Sequence, residues 1–205
     1  MLLCDIGNTS YHFLDEEDEY KKSADSFNPL KIDEDVCFIS VNHRVNDIIK
    51  DLSNWINLAD YIDMSDYYET MGIDRVVACE TLNNGVIIDA GSALTVDVVK
   101  DGKYLGGFIY PGRVAMQKSY ENISSALAYS FNFDLPLDIM PKNSRDAISY
   151  GYLKTLYNEV MQHNLPVILT GGDAKLFAKV FKNAKVDEKL IFKGMKKIMK
   201  KANIC

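Results

Sequence analysis

Two stretches of the chain repeat one order of apolar and polar positions. Leu2-Leu3-Cys4-Asp5-Ile6-Gly7-Asn8-Thr9 returns 84 positions later as Val86-Ile87-Ile88-Asp89-Ala90-Gly91-Ser92-Ala93. Each begins with an apolar run too short for a typical helix and ends in Asp-x-Gly, which predicts a buried strand closing in a tight turn. A second β-like stretch follows each copy, Tyr11 to Leu14 and Thr95 to Val99. Turns are then expected at Asp15 to Glu19 and at Asp101-Gly102, the latter a strong hairpin signal. A third strand comes next, clearest from Tyr104 to Tyr110. The pattern predicts an α/β chain of two related lobes, 1–84 and 85–205, each opening with an antiparallel meander. The final helix is able to pack back on the first lobe.

Between the repeats, Val36 to Val41 reads as a strand. Val45, Ile48, Ile49 and Leu52 give one apolar face to a helix spanning Val45 to Trp55. Met71 to Leu82 reads as a further helix, opening on Gly72-Ile73-Asp74-Arg75. In the second half, Pro111-Gly112 closes a strand and Val114 to Tyr129 reads as a helix. Pro136 and Pro141 mark a loop, and Asn143 or Ser144 caps a long helix running toward His163. Pro166 to Thr170 is a short strand ending in Gly171-Gly172, with a helix after it. Lys189 to Lys201 is a basic, amphipathic last helix. No low-complexity linker separates the halves, so closely packed lobes are expected.

Composition narrows the partners. The chain has 205 residues, 47% hydrophobic and 25% charged, in keeping with an ordered globular protein. Its net charge of −6 and lack of a strong basic block argue against a dedicated nucleic-acid or anionic-membrane binder. Cys4, Cys37, Cys79 and Cys205 form no C-x-x-C pair and no disulfide framework, which fits a reducing cytoplasm. His12, His43 and His163 are scattered. No signal peptide is visible, and no apolar run approaches the ~18 residues of a membrane span. The Lys-rich tail (Lys193, Lys196, Lys197, Lys200, Lys201) reads as a solvated helix face, and Trp55 and the many tyrosines as core or subunit interface.

The chemistry-bearing residues sit at the predicted turns. In Asp5-Ile6-Gly7-Asn8-Thr9 a glycine turn lets backbone amides approach an anion, and Asn8, Thr9 and Ser10 add donors. That is what a polyphosphate requires, although no Walker sequence is present. The Asp5 carboxylate suits such a place only with a divalent cation between it and phosphate, and Mg²⁺ is the usual choice. An ordinary hairpin turn uses the same residue types, but the second copy at Asp89-Ala90-Gly91-Ser92 favours two loops clamping one nucleotide. In Asp74-Arg75 an acidic acceptor stands beside a planar fork of donors, which suits an alcohol substrate bearing a carboxylate. A plain helix N-terminus with a surface ion pair would look the same in isolation. The glycines of Gly106-Gly107 and Gly171-Gly172 serve either backbone packing or ligand approach.

Together, Asp5-Ile6-Gly7-Asn8-Thr9, Gly72-Ile73-Asp74-Arg75, Asp89-Ala90-Gly91-Ser92-Ala93-Leu94-Thr95 and Gly106-Gly107-Phe108-Ile109-Tyr110-Pro111-Gly112 resemble type III pantothenate kinase, over residues 1 to about 173. Lys142-Asn143-Ser144 and Thr170-Gly171-Gly172 follow in the family order. The resemblance implies the acetate and sugar kinase, heat-shock ATPase and actin superfamily, with two ribonuclease H-like lobes, mixed sheets flanked by helices, and a nucleotide cleft between them. It implies ATP-dependent phosphorylation of pantothenate, the first step of coenzyme A synthesis, by a cytoplasmic homodimer with substrate near the subunit interface. Carried over, Asp5, Ile6, Gly7, Asn8, Thr9, Ser10, Tyr11 and His12 line the triphosphate with Asp5 near Mg²⁺, and Ser92 touches ATP. Gly72, Ile73, Asp74 and Arg75 bind pantothenate, with Asp74 as proton acceptor and Ser144 as a further contact. Asp89 takes the place that binds K⁺ or NH₄⁺. Tyr67 and Tyr68 compete for a substrate-contacting tyrosine; Tyr68 is carried as the substrate residue, and the compressed spacing leaves Tyr67 open. The chain is shorter than most members between residues 14 and 71. Two other readings are a non-catalytic transcriptional accessory protein of the same fold and a kinase of another small alcohol.

Overall fold

The computed structural model describes residues 1–204. Contacts divide the chain into two units, Met1–Thr81 together with the stretch from Lys189 onward, and Leu82–Glu188.

The first unit is built on a five-stranded mixed sheet. Strands β1 (Leu2–Ile6), β2 (Ser10–Asp15) and β3 (Asp18–Ser23) form an antiparallel meander; β4 (Val36–Ser40) and β5 (Trp55–Asn57) add in parallel beside β1. The order is β3-β2-β1-β4-β5. Helix α1 (His43–Ile49) follows β4, capped by the Asn42 side chain, which accepts from the Val45 amide. Helix α2 is Ile73–Cys79. One face of the sheet packs Leu2, Cys4, Ile6, Tyr11 and Phe13 against Val45 and Ile49.

The second unit repeats that topology strand for strand. Strands β6 (Gly85–Ala90), β7 (Ala93–Lys100) and β8 (Lys103–Pro111) form the meander, and β9 (Val167–Thr170) and β10 (Lys185–Val186) add in parallel beside β6. The order is β10-β9-β6-β7-β8, the same arrangement as in the first sheet. The expected hairpin at Asp101-Gly102 is present, with φ of 52° and 73°, the left-handed pair that matches strand twist. Helices α3 (Arg113–Ile123), α4 (Ser144–Met161) and α5 (Ala174–Phe177) complete the unit. Tyr152, Leu153 and Leu156 of α4 and Phe177 of α5 pack on Val86, Ile88, Leu94 and Val96.

Helix α6 (Leu190–Ala202) belongs to the first unit, where it packs on α2 and β1. The sequence division runs the second lobe over 85–205 and leaves this helix able to pack back on the first. Its buried row is Leu190, Ile191, Phe192, Met195, Ile198 and Met199. Its lysines face outward, and Lys197 and Lys201 meet the end of α2. Lys201 Nζ lies 2.7 Å from Glu80 Oε2, and Lys197 donates to the Glu80 carbonyl at the end of α2.

Four helix boundaries differ from the sequence pattern. The helix expected over Val45 to Trp55 ends at Ile49, and Trp55 instead opens β5, paired with Val36. The helix expected from Val114 to Tyr129 stops at Ile123, because Ser124 is extended and caps a separate 3₁₀ turn at Ser125–Leu127. The helix expected over Met71 to Leu82 is Ile73–Cys79, and the long helix begins on the Asn143 cap but ends at Met161, before His163. The two-residue β10 had no counterpart in the sequence reading.

Candidate active site

In the first unit, β1 delivers Asp5 and then the turn. The Gly7 amide donates to the Ser10 carbonyl at 2.9 Å, folding residues 7–10 into a tight loop with Asn8 and Thr9 exposed. Asn42 holds this loop from β4's end, its Nδ2 donating to the carbonyls of Gly7 at 3.4 Å and Asn8 at 3.5 Å. Within the expected triphosphate-lining run the side chains divide sharply. Ile6 and Tyr11 are enclosed in the core, so only their backbone is open to a ligand. His12 is half-buried, with Nε2 3.0 Å from Glu19 Oε2 and its ring against Phe192 of α6. Burial, with Lys21 nearby, holds its pKa below the ordinary imidazole value despite Glu19. Asp5, Gly7, Asn8, Thr9 and Ser10 are the members with side chain or backbone at the turn.

The start of α2 gathers the second group. Gly72 is the N-cap, and a Cβ there would lie 2.5 Å from Asp74 Oδ1, so the absence of a side chain leaves room for that carboxylate to fold back on the helix end. Asp74 Oδ1 accepts from the Arg75 amide at 2.8 Å. Burial raises the Asp74 pKa above the usual carboxylate value, against the opposing pull of that amide and of the Arg75 charge. Arg75 is buried, and its guanidinium donates to the Tyr68 hydroxyl. Tyr68, Gly72, Asp74 and Arg75 therefore occupy one corner. Tyr67 points elsewhere: its hydroxyl donates to Glu80 Oε1 at 3.2 Å, and burial beside that carboxylate raises its pKa.

In the second unit three loops converge on the end of β6. Asp89 is paired across the backbone with Thr95 of β7 and Thr170 of β9. The Gly91 amide donates to the Ala93 carbonyl at 3.1 Å, closing the turn that exposes Ser92. A Cβ on Gly112 would fall 2.2 Å from the Ser92 carbonyl oxygen. Gly171 has φ of +85°, and a Cβ there would fall 2.3 Å from Asp89 Oδ1. Glycine at these two positions permits the loops after β8 and β9 to press on the Asp89 turn. Gly106, by contrast, lies beside the shift of register between β7 and β8, a backbone role. Ser144 is exposed as the first residue of α4, behind the Asn143 cap whose side chain accepts from the Asp146 amide at 2.9 Å.

Sequence reasoning passed over an ion pair at these loops. Arg113 Nε lies 3.1 Å from Asp173 Oδ2, and its Nη2 donates to Oδ1 at 3.4 Å. Each residue directly follows a glycine of the sequence motifs, Gly112 and Gly172, but nothing local in either segment points to the other. Among the described residues, no group of three or more His, Cys, Asp or Glu side chains stands ready to hold a metal ion.

The repeated mixed sheet, with an acidic turn closing the first strand of each copy, defines a two-lobed α/β fold of two mixed sheets flanked by helices. At the level of fold it is shared with a solved Sinorhizobium meliloti structure described as a candidate 2-dehydro-3-deoxygalactonokinase, with a TM-score of 0.55 over 98% of each chain at 10% identity. The particular family follows from closer relatives. A family model described as type III pantothenate kinase matches residues 18–163. A type III pantothenate kinase of Sulfurimonas denitrificans is 60% identical over the whole of both chains. A solved Campylobacter jejuni structure, described as a candidate Baf family transcriptional activator, is 38% identical with a TM-score of 0.90 over 100% of each chain. The chain belongs to the type III pantothenate kinase family.

Proposed function

We propose that this chain transfers the γ-phosphoryl group of ATP to the primary hydroxyl of pantothenate, yielding 4'-phosphopantothenate and ADP, the first step of coenzyme A synthesis. The observation that carries the reading is the corner at the start of α2. It joins a carboxylate that can take a proton to a buried guanidinium facing a tyrosine hydroxyl, in a chain of this family. Asp74 orients the hydroxyl of pantothenate and accepts its proton as the bond to phosphorus forms. In a loose, largely dissociative transition state that transfer comes late, so orientation is the larger contribution. Arg75 and Tyr68 recognise the pantothenate carboxylate and neighbouring polar groups, with Gly72, Ile73 and Ser144 completing the contacts. Asp5 and the turn Gly7 to Ser10 meet the triphosphate, with Ile6 and Tyr11 contributing backbone only, and Ser92 contacts ATP.

The donor set fits the ions the family implies. Mg²⁺ is commonly held by one or two carboxylates together with substrate phosphates, and Asp5 offers one carboxylate at the phosphate turn. Asp89, a half-buried carboxylate beside the Ala90 carbonyl where Gly171 approaches, suits a monovalent cation such as K⁺ or NH₄⁺. Mg²⁺ would supply charge neutralisation on the phosphates; the protein's part is to position them. A homodimer is supported by β8, an edge strand whose outward row includes Leu105 at 61% and Ile109 at 65% exposure, and by α3, which buries no residue. The absence of a nucleic-acid partner accords with the net charge of −6, and a cytoplasmic location with the free thiols of Cys4, Cys37 and Cys79. No helix among the described residues is long and apolar enough to cross a membrane.

Incubation with ATP, Mg²⁺, K⁺ and pantothenate tests the reading. Mass spectrometry should find phosphopantothenate, and its absence alongside turnover of another alcohol in an ADP-release panel would reassign the acceptor. The description of the Campylobacter structure favours one rival, a non-catalytic accessory regulator. Such a regulator has no need of Asp5, Asp74, Arg75 and Asp89 together, and DNA retention in a mobility-shift assay without kinase activity would support it.

A further inference from the structure

We propose that Arg113, acting through Asp173, is a positioning residue that sets the affinity for nucleotide by locking the three loops around Asp89. The proposal rests on the reading that these loops bind ATP. The turn after β6 is the innermost of the three. The loop after β8 lies on it at Gly112, and the loop after β9 lies on it at Gly171, each so close that a Cβ would collide with the turn's backbone or with Asp89. The Asp173 amide also donates to the Ala90 carbonyl at 2.9 Å. The two outer loops are joined to each other by the Arg113–Asp173 fork, 60 residues apart in sequence.

The fork is itself braced. Arg113 Nη1 donates to Gln117 Oε1 at 3.1 Å, one turn along α3, and Gln117 Nε2 donates to the Tyr129 carbonyl at 3.4 Å. Tyr152, stacked on Tyr110, donates to the Pro111 carbonyl at 2.8 Å and fixes the same corner from below. With side-chain exposures of 31% and 26%, the pair is partly withdrawn from water and two-pronged, unlike a solvated surface contact. Gly171 lies in a left-handed conformation against a carboxylate, and cutting the fork removes one of the tethers that hold its loop there. A ligand arriving at relaxed loops must order them as it binds, and that ordering reduces its affinity.

Calorimetric titration with MgADP and steady-state kinetics on the full chain test this. In Arg113→Ala and Asp173→Asn, MgADP binding should weaken and the KM for ATP should rise by roughly tenfold, the scale of losing one charge-assisted fork. The kcat at saturating ATP and the KM for pantothenate should stay within about twofold, because these variants leave transition-state contacts in place. Arg113→Lys, which keeps the charge and loses the fork, should fall between, and it stands in if the alanine variant does not fold. Wild-type binding with unchanged MgADP affinity in the variants would overturn the clasp alone, even if their melting temperatures drop. A wild-type chain that fails to bind MgADP would overturn the nucleotide reading and the clasp together.

Discussion

At Asp74 two influences oppose each other, and their balance sets both chemistry and stability. The amide of Arg75 and the end of α2 favour the charged carboxylate, while burial disfavours it more strongly and raises the pKa above 3.8. As proton acceptor Asp74 must be ionised, so kcat/KM should fall on acidification through a pKa above that of an exposed aspartate. The stability argument has the opposite sign. A folded-state pKa above the unfolded value means that protonation favours the fold, so Asp74 contributes stability as pH falls through its folded pKa and costs stability at neutral pH. Asp74→Asn should therefore reduce turnover by about 10²-fold or more, the usual scale for a general base, while leaving the melting temperature at pH 7 unchanged or higher. Near-normal kinase activity in that variant would remove Asp74 from the acceptor role. The neighbouring tyrosines separate in the same way. Tyr68 meets Arg75 whereas Tyr67 is committed to Glu80, so Tyr68→Phe should raise the KM for pantothenate several-fold more than Tyr67→Phe. Equal effects from the two would contradict the assignment.

Among the loops, Gly171 and Gly172 provide a matched pair for testing what the turn after β9 requires. An added methyl at Gly171 would collide with Asp89 in a backbone conformation that L-residues resist at about 1–2 kcal/mol, whereas at Gly172 the same methyl would meet nothing within 4 Å. Gly171→Ala should lose most kinase activity and weaken MgADP binding, and Gly172→Ala should resemble wild type in both measurements. Equal behaviour would mean that the approach to Asp89 is dispensable. The contrast also shows which features a one-dimensional pattern exposes. The Gly-Gly pair was visible as a turn, but which glycine bears the constraint depends on Asp89, more than 80 residues earlier. Strands β1, β2, β6, β7 and β8 were legible because each is an apolar run or alternation running into Asp or Gly, a local signal, whereas β3 is six exposed, mostly charged residues and carries none. Strand β5 was hidden since three residues from Trp55 have no periodicity of their own and become a strand only by pairing with β4. The Arg113–Asp173 fork was hidden for the same reason at longer range.

Across the whole molecule the duplication is complete at the level of sheets, with two meanders and two parallel extensions in one order. The echo of Leu2 to Thr9 in Val86 to Ala93 made the two meanders legible but not the parallel extensions, since β5 and β10 are too short to carry a pattern of their own. The return of the chain's last segment to the first unit lies outside the echo, and the sequence reading held it only as an option for the final helix. The lysines of α6 suggested a solvated face, correctly for one side, but the destination of its apolar side depends on α2 and β1 being assembled first. That apolar side includes six large side chains, and burying each contributes about 1.5–3 kcal/mol, on the order of 10 kcal/mol together. Native domains hold only about 5–15 kcal/mol in net stability, so the first unit should not survive without α6. Truncation after Glu188 should leave a chain whose residues 1–81 are open to limited proteolysis and whose kinase activity is lost, whereas the full chain resists cleavage there. Glu80 offers a milder perturbation of the same join. Glu80→Gln removes the charge that Lys201 meets while keeping the carbonyl that Lys197 reaches. Because Lys201 is exposed and a glutamine can still accept from Tyr67, losing this ion pair should cost about 0–1 kcal/mol and lower the melting temperature by a few degrees at most. If instead the truncated chain stayed protected over residues 1–81, the first sheet would be self-sufficient and α6 an accessory to it.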